Sequence, residues 1–364
     1  MDCTVKNNMP QEIFEDIKQI ADNRINLQQI KNKTVFVTNC HTLISHYLIC
    51  SLLESNDIFG NNTRVITLAK SREDAEKQFG SLTLRKDFVT EIGESNDFPE
   101  IERADFVIHC DSPCEVSDED CSNPKIADTN ISGFANVLEY AKESNAESVL
   151  LVSSYMVYGE VFSGKNTISE SDLGYLDPTD ADSAYAQSMR SAETLAVCYA
   201  EKFGMNIKIA RPCPTLGGVR MSDERRWAKL IVSAAKSQNI MLTDNGGEKF
   251  SFCYVTDTVS ALIDILLYGK SGEAYNISND NANVTMREFA QLVKLTNPEK
   301  NLSVVFVHRK DEEEPEFSPS SPTPYVLCND KIKSLGFSPK TTLKDGIKRS
   351  IRATELRAEL RRIK

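Results

Sequence analysis

The ten cysteines of this 364-residue chain include no CxxC pair. Neither a disulfide framework nor a zinc ribbon is indicated, and the thiols are expected to be reduced. No apolar run approaches the roughly 20 residues that a bilayer-spanning helix needs. Residues Met1 to Asn8 lack the basic and apolar regions of a secretion signal, so a soluble, cytoplasmic protein is expected. Basic charge is in deficit, with 42 Lys plus Arg against 53 Asp plus Glu and a net charge of -11. That balance opposes a polyphosphate backbone or an anionic membrane, so neither nucleic acid nor membrane is an expected partner. The four histidines, His41, His46, His109 and His308, are dispersed. His109 with Cys110 and Cys114 superficially resembles a ligand set, but neighbouring strand residues point to opposite faces and no metal is expected. No internal repeat is found.

What is present is an alternation of short strands and helices. Apolar residues at Ile13, Phe14, Ile17, Ile20 and Ala21 recur at helical spacing, marking an N-terminal helical extension over residues 1–30. Thr34 to Thr38 is strand-like and is followed at once by helical spacing from Leu43, the strand-turn-helix opening of a nucleotide-binding domain. Further strand-like runs fall at Arg64 to Leu68, Asp105 to His109, Ser148 to Ser153 and Asn206 to Ala210, with helical patterns at Ile131 to Ser144 and Ala184 to Phe203. This order predicts an α/β fold, a Rossmann-like doubly wound parallel sheet over residues 31–214. Residues 215–364 are expected to form mainly a smaller substrate-binding lobe, with segments crossing back to the sheet. The acidic stretch from Asp311 to Pro324 reads as a solvated loop, and Ile347 to Lys364 as a solvated basic terminal helix.

The chemistry-bearing residues are Ser154, in the run Val152 to Gly159, and Tyr185, about 30 residues later. In a Tyr-x-x-x-Lys arrangement both side chains share a helical face, and the ammonium stabilises tyrosinate for proton exchange with a substrate hydroxyl. Here the lysine position is Met189. Bringing a free phenol from about 10 to near 7 takes about three units, or roughly 4 kcal/mol, which methionine cannot supply. Arg190 points about 100° away on the helix and reads as a surface cation.

With Val107-Ile108-His109, Asn130-Ile131-Ser132-Gly133, Ser153-Ser154, Val157-Tyr158-Gly159, Tyr185, Ala210-Arg211-Pro212, Phe252 to Asp257 and Leu335 to Pro339 in that order, the chain resembles the extended short-chain dehydrogenase/reductases. Within them it is similar to the NAD-dependent nucleotide-sugar epimerases, dehydratases and decarboxylases, and the likeness runs from Lys33 to Ile351. The resemblance implies that Ser154 and Tyr185 are catalytic. It places Asn39, Thr42, Leu43, Ile44, Lys70, Arg72, Glu91, Ile92, Cys110, Asp111, Ser112, Asn130, Arg211 and Pro212 along NAD or NADP, and a nucleotide sugar in the pocket. Lys70 and Arg72 lean the choice toward NADP, or are a solvated basic pair.

Several positions depart from the family pattern. Where it has Gly-x-x-Gly-x-x-Gly, this chain reads Asn39-Cys40-His41-Thr42-Leu43-Ile44-Ser45, and each added Cβ intrudes where phosphate oxygens would lie. Asn39 can adopt the left-handed conformation such a turn needs. Asp111 puts a carboxylate where relatives carry alanines and would repel a pyrophosphate. Tyr155 and Met156 replace the Asp-Glu pair of dehydratases, and Phe250 replaces an arginine that grips the nucleotide diphosphate. A degenerate member is therefore expected, acting by binding or by assembly as a homodimer or as a heterodimer with an active homologue. The alternative is an active epimerase or oxidoreductase that uses Tyr185 and Ser154 without the lysine.

Overall fold

The computed structural model describes residues 3–22, 24–111, 123–161, 167–307 and 326–363. Ser112, Cys114, Cys121, His308 and the acidic stretch at 311–324 lie outside them. Six strands come first: β1 (Thr34–Val37), β2 (Arg64–Ala69), β3 (Phe88–Ile92), β4 (Phe106–His109), β5 (Ser148–Val152) and β6 (Ile207–Pro212). The short strands β7 (Thr215–Leu216), β8 (Ile240–Leu242), β9 (Lys249–Ser251) and β10 (Cys253–Tyr254) precede β11 (Ala274–Ile277), and β12 (Asn283–Thr285) and β13 (Val304–Phe306) follow. The main sheet is seven-stranded in the order β11-β6-β5-β4-β1-β2-β3. Each of its pairings is parallel, with registers such as Phe36↔Val107 and Leu150↔Lys208. β11 thus returns the C-terminal part of the chain to the main sheet.

The helices are α1 (Gln11–Ala21), α2 (Arg24–Leu27), α3 (Leu43–Phe59), α4 (Arg72–Phe79), α5 (Asn123–Asp128), α6 (Phe134–Ser144) and α7 (Ala184–Phe203), then α8 (Arg226–Ala235), α9 (Val255–Tyr268), α10 (Met286–Leu295), α11 (Asp330–Lys333) and α12 (Leu343–Ile363). The two-residue period of the strands divides the core between the sheet faces. Val35, Val37, Ile108 and Leu150 pack in one cluster with α1, α3 and α9. Phe36, Val107, Val149 and Leu151 pack in another with α6 and α7.

Local chemistry sets several boundaries. The hydroxyl of Thr42 accepts from the Ser45 N–H and caps α3, which stops at Gly60 in the left-handed region. Gly159 holds φ +60°, and a Cβ there would lie 2.2 Å from the Tyr175 carbonyl oxygen, so only glycine fits this turn. Arg190 is not a surface cation: it donates to the carbonyls of Val157 (2.6 Å), Tyr158 (3.2 Å) and Gly174 (2.8 Å), fastening the same turn. The terminal helix also corrects its expected solvation. Ile347, Ser350, Ile351 and Thr354, at helical spacing, are buried along α12, which packs on α8.

Asp16 fastens α1. It accepts from the hydroxyls of Tyr254 (2.6 Å) and Tyr47 (3.4 Å) and pairs with Arg349. At the start of α9, Asp257 accepts from the backbone N–H of Lys340 (2.9 Å) and Thr341 (3.0 Å), and burial holds its carboxyl above the usual range.

Candidate functional site

The strand order reverses between β1 and β4, so the carboxyl ends of β1, β4, β5 and β6 open onto one crevice. A cavity of about 340 Å³ lies there, at the small end of the ~300–1,000 Å³ range of ligand pockets. Of the residues expected from sequence, Thr42, Ile44, Cys110, Ser154, Tyr185 and Pro212 line it. Ser154 is buried and its Oγ accepts from the Met156 N–H at 3.2 Å. Tyr155, Met156 and Phe250, which replace chemistry-bearing residues of the family pattern, are also on the wall.

Other expected residues are elsewhere. Leu43 packs beside Gly217, where a Cβ would come within 2.7 Å of its Cδ2. Lys70 is exposed and 3.7 Å from Glu94, and Arg72 is exposed at the start of α4. Glu91 and Ile92 end the edge strand β3, with Ile92 48% exposed. Asn130 is buried and donates to the Ser188 hydroxyl at 2.9 Å. Arg211 is not among the residues that line the cavity, and its guanidinium is engaged with other partners. It holds Glu193 through Nε (2.9 Å) and Nη2 (2.6 Å), and donates through Nη1 to the Tyr158 hydroxyl (3.0 Å) and the Glu170 carbonyl (2.9 Å). Ser153 donates to Glu193 at 2.6 Å, tying this pair to the end of β5. Glu193 went unrecognised in the sequence, although it lies four residues after Met189 and eight after Tyr185, on one helical face.

The turn after β1 is built differently from a glycine turn. Asn39 is outside the left-handed region, so the expected conformational role of Asn39 is not used. Instead its Nδ2 donates to Asp111 at 2.7 Å, and its Oδ1 accepts the His41 N–H at 2.7 Å. Two departures that looked independent in sequence are thus one hydrogen-bonded pair. His41 lies 2.7 Å from Asp74, and burial nevertheless pulls its imidazole below the ordinary value, while Arg220 donates to the His41 carbonyl at 3.3 Å. Burial pushes the neighbouring Cys40 thiol up to about 12, so it is no nucleophile. These groups do not fit a dinucleotide pyrophosphate: a buried carboxylate stands where like charge would lie, and side chains already take the His41 and Ser45 N–H groups.

On the opposite wall, α8 contributes a cluster that the sequence reading missed. Arg225, Arg226 and Trp227 line the cavity with Phe250 and Met286. Arg225 grips Asp223 through Nε (3.0 Å) and Nη2 (2.6 Å) and lies 4.8 Å from the Trp227 ring centre. Arg226 pairs with Asp244 and Glu248. The Arg-Arg-Trp run, holding the only tryptophan, was the available signal. No group of His, Cys, Asp and Glu able to hold a metal occurs among the described residues, and none of their helices is long and apolar enough to cross a membrane.

A seven-stranded parallel sheet with a ligand crevice at its topological switch point and Ser154 and Tyr185 on the wall defines a Rossmann-like protein of the extended short-chain dehydrogenase/reductase type. A sequence model of the NAD dependent epimerase/dehydratase family matches residues 41–278, and the chain belongs to that family. It is 33% identical over 229 residues to UDP-glucuronic acid decarboxylase 3 of Arabidopsis thaliana, covering 62% of this chain and 63% of that protein. It is 26% identical over 329 residues to human dTDP-D-glucose 4,6-dehydratase, covering 88% and 89% of the two chains. The crystal structure of dTDP-glucose 4,6-dehydratase from Bacillus anthracis in complex with NAD superposes with a TM-score of 0.71 at 18% identity, covering 91% of this chain and all of that one.

Proposed function

We propose that this chain is a catalytically degenerate member of its family, which keeps the scaffold and the crevice for binding a small molecule and does not carry out nicotinamide-dependent chemistry. The observation that carries the reading is the Asn39–Asp111 hydrogen bond, which holds a carboxylate at the cofactor turn. Met189, 1% exposed on the helix of Tyr185, supports it, since no ammonium stands at that position to stabilise tyrosinate. Calorimetric titration with NAD and with NADP tests it. No saturation in the micromolar range is expected, and a micromolar Kd for either would overturn the reading. Assembly with a second copy or an active homologue is part of the same proposal, and light scattering of the purified chain reads the first of these.

A second reading is favoured by Ser154 and Tyr185 sharing one cavity: an active oxidoreductase or epimerase on a nucleotide sugar, the class named for the UDP- and dTDP-linked relatives. It requires a product or a nicotinamide absorbance change from UDP- or dTDP-sugar, abolished in Tyr185→Phe. Full turnover in that variant would remove Tyr185 from the chemistry.

A further inference from the structure

We propose that the cavity takes an uncharged, largely apolar small molecule, presenting one hydroxyl or carbonyl oxygen to Ser154 and Tyr185, in place of a nucleoside diphosphate. The proposal rests on the reading that the crevice binds without a dinucleotide. Its first support is the wall itself, where Ile44, Val152, Met156, Trp227, Phe250 and Met286 present mainly carbon. Covering such surface stabilises a ligand by about 25 cal/mol per Å² of apolar area, whereas a phosphate brought there must shed water it cannot replace.

The charges around the wall point the same way. Arg225 and Arg226, at the entry to α8, are already matched by Asp223, Asp244 and Glu248, three carboxylates for two guanidiniums. Releasing either arginine to grip a phosphate would leave its carboxylates facing the same anion. At the β1 turn, Arg220 contacts the His41 loop, where the carboxylates of Asp74 and Asp111 also lie. Around the crevice the carboxylates of Asp74, Asp111, Asp223, Asp244 and Glu248 stand against Arg220, Arg225, Arg226 and Lys70, so the cations are offset by at least as many carboxylates. Position 250, the arginine site of the family pattern, holds the Phe250 ring, while Lys249 beside it is exposed. Besides the paired Arg225 and Arg226, the polar groups of the wall include the hydroxyls of Ser154, just after β5, and Tyr185, at the start of α7, to which a ligand oxygen can be presented.

Trp227 is the only tryptophan and lines the cavity, so its emission reports occupancy directly. The full chain is titrated with menthol and 4-tert-butylcyclohexanone as neutral probes, and with UDP and UDP-glucose as anionic ones. The neutral probes are expected to saturate the emission change at concentrations about tenfold or more below those of UDP-glucose. Phe250→Arg is expected to narrow or reverse that ranking, and the wild-type ranking stands by itself should the variant fold poorly. UDP or UDP-glucose saturating at lower concentration than the neutral probes, or no saturation by either neutral probe, overturns the proposal. The calorimetric NAD(P) titration separates the two claims. Dinucleotide binding with neutral probes still preferred defeats only the degenerate reading, and UDP-glucose preferred without dinucleotide binding defeats only the ligand class.

Discussion

Replacing Asn39 by glycine and Asp111 by alanine together removes the carboxylate from the cofactor turn and frees the His41 N–H. Two unit charges ~4 Å apart at an effective dielectric of about 20 interact by about 4 kcal/mol. Water and salt at the open crevice reduce that to about 2 kcal/mol, or roughly 30-fold in affinity. Thr42 and Ser45 still carry their Cβ atoms, so the expected gain for NAD or NADP over wild type is about tenfold or more, read by calorimetry. Stability supplies an independent measurement. Each single substitution leaves one partner of the 2.7 Å bond unmatched, at about 1–3 kcal/mol, whereas removing both partners is less than additive. A double-mutant cycle in urea is expected to show about 1–2 kcal/mol of coupling. A double variant that binds neither cofactor more tightly than wild type would refute the electrostatic argument. Coupling of only a few tenths of a kcal/mol would refute the pairing.

Three further outcomes follow from the packing. Burial lifts the Asp16 carboxyl from 3.8 to about 6 against the opposing effects of Tyr254 and Arg349. A folded-state pKa above the unfolded one gives stability that is present below about pH 4 and lost as pH rises through about 6. Two units are worth about 3 kcal/mol, so Asp16→Asn should be more stable than wild type by up to about 3 kcal/mol near pH 8 and by little near pH 4. Other raised carboxyls, Asp257, Asp264 and Glu54, titrate in both proteins and cancel in the difference, so a pH-independent gap in urea unfolding would refute the assignment. Glu193→Ala leaves the Arg211 guanidinium buried without its carboxylate and should cost about 3–5 kcal/mol; a loss below about 1 kcal/mol would show that the pair is not buried in solution. Ile351→Ala, in a helix expected from sequence to be solvated, should cost about 2–5 kcal/mol because Ile351 is 1% exposed, and a neutral result would restore the solvated picture of α12.

The sheet was legible because its signals are local. Runs such as Val35 to Val37 and Val149 to Val152 are short, apolar and bounded by valines, and the helices between them carry a 3.6-residue period. The α12 helix was misread because half its pattern is hydroxyl: Ser350 and Thr354 are buried and bond backward to the carbonyls of Gly346 and Ser350, which no hydropathy count registers as core. At the site, Ser154 and Tyr185 were legible from motif spacing, and the loss of glycine at the turn was legible from plain composition. The relation of Asn39 to Asp111 was not, because 72 residues separate them and only the parallel pairing of β1 with β4 brings their loops together. The partners of Arg211 were hidden for a related reason. Strand position gives its neighbourhood, but not which way a long side chain leaves it.

Met189 acquires its sense from the same geometry. A lysine there would be an ammonium at a position 1% exposed, and such a charge persists only with a partner. One partner in reach along the helix is Glu193, a turn further on, but its two oxygens are already taken by Arg211 and Ser153. An unbranched apolar side chain fills that volume without a buried charge. The missing lysine, the missing glycines and the added carboxylate are therefore compatible parts of one electrostatic arrangement. Restoring the lysine alone, without a carboxylate to receive it, would place a cation at a position 1% exposed.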